Sequence, residues 1–146
     1  MKKFHFPLAR VCEWRENQVT VEEARLERIV TERAAIQERR NAIERERSAE
    51  EAAVLGGAST DSFSLQALGE YRTFATRRIA ALDRERVGCE SRLVEQRKRV
   101  IEAQRKVRLL EKLEERRRKE WTTAFTRELD EQAAESHRSR LYLQTR

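Results

Sequence analysis

The sequence predicts an all-α protein, two long helices forming an antiparallel coiled-coil hairpin in which the second helix is longer and projects. Charged residues make up 40% of the 146-residue chain and apolar ones 38%, with 4 Gly and 1 Pro. A layered domain needs turns, and turns need Gly, Pro and Asn more often than this. A charge-rich chain poor in helix breakers fits a long helix or coiled coil. Apolar residues also recur every three or four positions, the period of a helix with one buried stripe. The whole of 1–146 reads as a single coiled-coil domain: helix one over about 7–55, a turn over about 56–63 and helix two over about 64–138.

Helix one opens at Pro7, whose missing N–H costs nothing in a first helical turn. A seam runs through Leu8, Cys12, Val19, Leu26, Ile29, Ile36 and Ile43 and ends near Val54. Gaps of three, four and seven follow a heptad, the repeat that keeps one stripe facing a partner helix. Arg15, Glu22, Arg33, Arg40 and Arg47 fall on the same stripe, and no partner is evident for the three arginines from Arg33 onward.

Leu55-Gly56-Gly57 stops this helix, since Gly readily takes the left-handed conformation of a C-terminal cap. Thr60, Asp61 and Ser62 are candidate N-caps for the next helix. Helix two carries a cleaner seam: Leu65, Leu68, Ala75, Ile79, Leu82, Cys89, Leu93, Val100, Ala103, Val107 and Leu110. Glu95–Arg99, Glu102–Lys106, Glu114–Arg118 and Glu115–Lys119 have the favourable order for pairs four apart. Gly88 inside it costs about 1 kcal/mol relative to Ala and marks either a soft point or a close helix contact.

Two helices joined by one short turn pack antiparallel, and the heptad predicts a left-handed supercoil. Helix one is roughly 70 Å long and helix two roughly 110 Å at 1.5 Å per residue. Folding at the turn sets the start of helix one beside Glu114. Arg116, Arg117, Arg118, Lys119, Trp121 and Phe125 then lie beyond the paired region, with no intrachain partner expected. An unpaired helix is marginal in water, and exposed aromatics flanked by Arg resemble interface hot spots.

The net charge is +6 and the sequence pI about 9.8. A basic balance attracts acidic partners without identifying them. No stretch approaches the ~18 apolar residues of a membrane span. MKKFHFPLAR has a positive start but no apolar run behind it, so no signal peptide is expected and the protein is read as cytosolic. Cys12 and Cys89 form neither a disulfide framework nor a metal site and are read as small seam residues in a reducing compartment. No phosphate loop, nucleophile elbow or HExxH-type pair occurs, and solvated carboxylates on a helical hairpin have nothing to tune them. No catalytic residue, cofactor, metal or small-molecule substrate is expected, and no enzyme activity. Tyr71 and Phe74, near the turn, are read as closing that end, and Trp14 as a seam-edge aromatic.

The opening FHFPLARVCEWRENQ (Phe4–Gln18) and the late LLEKLEERRRKEWTTAFTRE (Leu109–Glu128) resemble the two end segments of the flagellar FliJ family. Length, a single mid-chain turn and a basic, Cys-poor composition agree. The resemblance implies a soluble component of the bacterial flagellar type III export apparatus, peripheral to the inner face of the cell membrane and needed for motility. Family members form an antiparallel coiled coil similar to the terminal helices of the rotary ATP synthase γ subunit. They insert into the hexameric export ATPase, promote its ring assembly, contact the membrane export gate protein and bind export chaperones. Carried over, the ATPase-ring contact falls on Phe4, Phe6, Leu8, Val11, Arg116, Arg117, Arg118, Trp121 and Phe125. The export-gate contact falls on Tyr71, Ala75, Arg78 and Leu82.

Two alternatives stand beside this reading. The equivalent stalk of a virulence injectisome has the same sequence features. A basic nucleic-acid-binding coiled coil belongs to a different class. Against it, the densest basic cluster comes late, the Gly-Gly turn folds the chain back, and interspersed acidic residues dilute phosphate binding.

Overall fold

The computed structural model describes residues 3–57 and 61–144, with side chains through Leu141. It contains two helices, α1 (Ala9–Leu55) and α2 (Ser62–Gln144). The chain divides into two compact units. One is the hairpin Thr20–Ile101; the other joins the chain up to Val19 with the chain from Glu102 onward.

In the hairpin unit, late positions on α1 meet early positions on α2 and early ones meet late ones, so the helices are antiparallel. Glu51 meets Arg72, Glu46 meets Tyr71, Arg40 meets Asp83, Glu32 meets Arg92, and Glu22 meets Gln96. The core is a single seam. Leu68, Ala75, Leu82, Cys89, Leu93 and Val100 are buried on α2, and Ile36 is the buried residue of α1. Ile36, Leu82 and Cys89 form one cluster, flanked by the partly buried Ile29 and Ile43. The heptad positions therefore face inward as expected, with Cys89 fully enclosed and its thiol donating to the Ile29 carbonyl at 3.5 Å.

Leu65 departs from its expected place in the seam, being 48% exposed. It sits one position off the stripe that Ser64, Leu68, Tyr71 and Ala75 carry at spacings of four and three, and a shift of one residue turns a helical side chain by about 100°. Gln96 is the opposite case: a polar residue only 6% exposed. It occupies the heptad place seven beyond Cys89, and its amide donates to the Glu22 carbonyl at 3.0 Å and to the Glu22 carboxylate. A buried amide costs little once its donors are satisfied.

The seam arginines acquire partners. Arg33 pairs with Glu90 at 3.6 Å, Arg40 with Asp83 and Glu44 at 3.1 Å each, and Arg47 with Glu51 at 4.0 Å. Arg40 and Arg47 are half-buried and Arg33 is exposed, each with its guanidinium beside a carboxylate. On the other flank, Arg92 forks onto Glu32 at 2.7 and 3.1 Å, and Arg39 lies 4.0 Å from Glu85. The Arg92 hydrogen bond holds the Glu32 carboxyl below its ordinary value. Exposed pairs of this kind contribute ~0–1 kcal/mol each and specify alignment more than stability.

Both helix boundaries near the turn have local causes. Gly56 donates to the Ala52 carbonyl at 2.9 Å, and no described glycine has a positive φ. The expected left-handed cap is thus absent. What demands glycine is space: a Cβ on Gly56 would lie 2.7 Å from the Ala52 carbonyl oxygen. Asp61 is the N-cap of α2, its carboxylate accepting from the Ser64 N–H at 3.1 Å. Hydrogen bonds from Ser64 hold that carboxyl below its ordinary value. Of the other candidates, Ser62 is the first residue of α2, and Thr60 lies outside the described residues. A Cβ on Gly88 meets nothing within 4 Å, so no close helix contact explains that glycine.

Candidate functional site

The second unit carries the densest aromatic and basic grouping of the chain. Arg118, Trp121 and Phe125 follow one another at spacings of three and four and so share a face of α2. Trp121 and Phe125 stack, with centroids 5.0 Å apart and planes within 10°. The residues before α1 reach this pair. Phe4 meets the Trp121 ring edge-on at 6.0 Å and 61°, and the Arg118 guanidinium carbon lies 5.4 Å from the Phe4 centroid. Edge-to-face rings and a cation over a ring are each attractive, by roughly 0.5–1.5 kcal/mol.

This corrects the expectation that Trp121 and Phe125 have no intrachain partner. The difference comes from backbone reach. Residues 3–6 are not helical, and a residue outside a helix can span up to about 3.3 Å where a helical one rises 1.5 Å. The three residues from Phe4 to Phe6 carry Phe4 further along α2 than a helix beginning there would. The Ala9 N–H bonds to the Phe6 carbonyl at 3.2 Å, a turn that fixes where the non-helical segment gives way to the helix.

The residues expected at the ring contact are therefore distributed unevenly. Phe4, Arg118, Trp121 and Phe125 come together, with both rings of the stacked pair left half-buried. Phe6 is only 7% exposed, so its ring belongs to the interior of this unit. Leu8 is half-buried and Val11 is 40% exposed. Arg116, Arg117 and Arg118 are exposed, and much of the basic run is balanced within its own helix. Arg118 bonds Glu114 at 3.0 Å, Lys119 lies 2.6 Å from Glu115, and Arg117 lies 3.8 Å from Glu120. The Lys119 hydrogen bond holds the Glu115 carboxyl below its ordinary value. From Thr126 to Leu141 every residue of α2 is exposed, including Leu129 at 37% and Leu141 at 49%. This stretch is a solvated helix.

Cys12 is half-buried with a free thiol. Burial, then the negative charge of Glu114, raises its pKa. A thiol pushed in that direction is a poor nucleophile. Trp14 stays 51% exposed, with the Arg15 guanidinium 4.5 Å from its ring centroid.

The four residues carried over as a gate contact do not form one surface. Ala75 and Leu82 are both 0% exposed, because they lie seven apart on the stripe that packs against α1. Arg78 is exposed, and Tyr71 is half-buried with its hydroxyl donating to Glu46 at 3.1 Å. Burial and then the Glu46 bond raise the Tyr71 pKa. Tyr71 and Phe74 are in ring contact at 6.3 Å, yet Phe74 remains 60% exposed and does not close the turn end. Instead Val54, Phe63, Leu68 and Tyr71 line an open groove between α1 and α2 there.

Among the described residues no group of three or more His, Cys, Asp or Glu is placed to hold a metal ion. No described helix is long and apolar enough to cross a membrane. Comparison with protein-family models, curated proteins and solved structures gives no match.

Proposed function

We propose that the protein is a non-enzymatic stalk and regulator of a flagellar type III export apparatus, seated in the export ATPase ring and promoting its assembly. The observation that carries this reading is the end cluster of Phe4, Arg118, Trp121 and Phe125 beside a basic helical face. Half-buried rings, two of them stacked and a third with an arginine over it, have the composition of an interface hot spot. The following solvated stretch, Thr126–Leu141, is a helix whose ordering a surrounding ring would favour. The end-segment resemblance supplies the identity of that ring, the export ATPase, and with it links to the export gate and to export chaperones at the inner face of the cell membrane. The intrahelical pairing of Arg117, Arg118 and Lys119 weighs against a nucleic-acid-binding coil, since phosphates would compete with carboxylates already in place.

The test is ring assembly of the purified export ATPase with and without the protein, followed by sedimentation and ATP hydrolysis. The wild type is expected to stimulate both. Trp121→Ala with Phe125→Ala is expected to remove most of the stimulation while leaving the Thr20–Ile101 hairpin folded. Absence of stimulation by the wild type sinks the stalk reading. Full stimulation by the double variant sinks the assignment of the contact.

A further inference from the structure

Beyond the end cluster, one flank of the hairpin unit carries an apolar stripe that its own fold does not use. Val87, Val94 and Ile101 are 61%, 53% and 64% exposed and stand seven residues apart on α2. Isolated exposed apolar residues are ordinary. Three β-branched residues in strict heptad spacing are not, because β-branching lowers helix propensity and this spacing keeps a stripe facing one partner. The stripe adjoins the flank of Asp83 and Glu90, where Arg40 and Arg33 reach across from α1. The opposite flank is closed by Arg92–Glu32 and Arg39–Glu85.

We propose that this flank is a self-association surface on which a second copy of the chain docks antiparallel, with the two-fold axis at Val94. The argument is self-complementarity. In an isologous pair each residue faces the one equally distant on the other side of the axis. Val87 then faces Ile101 of the second copy, Val94 faces its own equivalent, and Glu90 faces Lys98. Arg97 faces Ser91, so no like charges meet. A parallel pairing in register would instead set Lys98 beside Arg97 of the second copy, which is repulsive. Both charges are available: Glu90 is held only at 3.6 Å by Arg33 and 3.8 Å by Arg86, and Lys98 only at 3.8 Å by Glu95. This inference does not rest on the export-apparatus reading.

Sedimentation velocity on the full chain tests it. A dimer is expected at about 100 μM, and Val94→Lys is expected to weaken it about a hundredfold, because two buried valines are lost per dimer. Val94 is exposed in the single chain, so helicity and melting should not change. Glu90→Lys and Lys98→Glu should each weaken association, and the two together should restore it. In a Cys12→Ser background, Val94→Cys should oxidise to a covalent dimer, while Gly88→Cys, on another face, should not. A wild type that stays monomeric overturns the proposal. So does equal cross-linking at 94 and 88, or a double charge swap no better than either single one.

Discussion

Leu82→Ala and Leu65→Ala, measured side by side, test the packing of the hairpin most directly. Both residues belong to the same periodic reading of α2, yet Leu82 is 0% exposed and Leu65 is 48% exposed. Truncating Leu82 removes three carbon groups from water-free surroundings, about 2.4 kcal/mol at roughly 0.8 per group. It also leaves a hole beside Ile36, with Ile29 and Ile43 at its margin. A seam only two helices wide can partly collapse onto that hole, so the cavity adds little and the total should be about 3 kcal/mol, in the lower half of the range for buried leucines. Leu65 already keeps about half its surface in water, so the same truncation should cost about 1 kcal/mol or less. Urea unfolding followed by far-ultraviolet circular dichroism, with the slope checked for constancy, gives both values. If Leu65→Ala proves as costly as Leu82→Ala, the seam is rotated from the one described and the burial of Ala75 and Cys89 falls with it.

Two further outcomes follow from the glycines and the cap. Gly88→Ala should stabilise by about 0.4–1 kcal/mol, since its added methyl meets nothing and the unfolded chain loses freedom. Gly56→Ala should destabilise, because its Cβ would sit 2.7 Å from the Ala52 carbonyl oxygen; thermal melts of the two variants moving in the same direction would contradict this. Asp61→Ala should lower the melting midpoint at neutral pH by removing the cap at the start of α2. The Asp61 carboxyl is held below its ordinary value of 3.8, so its contribution is present above that value and disappears as pH falls through the lower folded one. The gap between Asp61→Ala and wild type should therefore close in acid, and a gap that persists there would show that the carboxylate is not what caps the helix.

What the sequence determined by itself is what local periodicity encodes. Breaker scarcity makes helices, heptad spacing picks the face that is buried, and a Gly-Gly followed by Asp and Ser marks the reversal. Ile36, Leu82 and Cys89 are legible in that way because any antiparallel partner would cover the same stripe. The tertiary structure decided what depends on reach and on which side chains meet. Periodicity counts only apolar residues, so it passes over Gln96, whose burial is set by the Glu22 carbonyl and carboxylate of the opposing helix. It leaves Arg33 and Arg40 unpaired because Glu90 and Asp83 are more than forty residues away in the chain. It places Ala75 and Leu82 in the buried seam, as observed, and the resemblance alone sets them on a contact surface. It says nothing of the residues before Pro7, where the helix is expected to open, whereas a non-helical stretch there brings Phe4 onto Trp121 and turns an uncovered aromatic pair into a partly covered one. Helical periods are short-range properties of the chain. Contacts across the seam and the path of a non-helical segment exist only once both helices are in place.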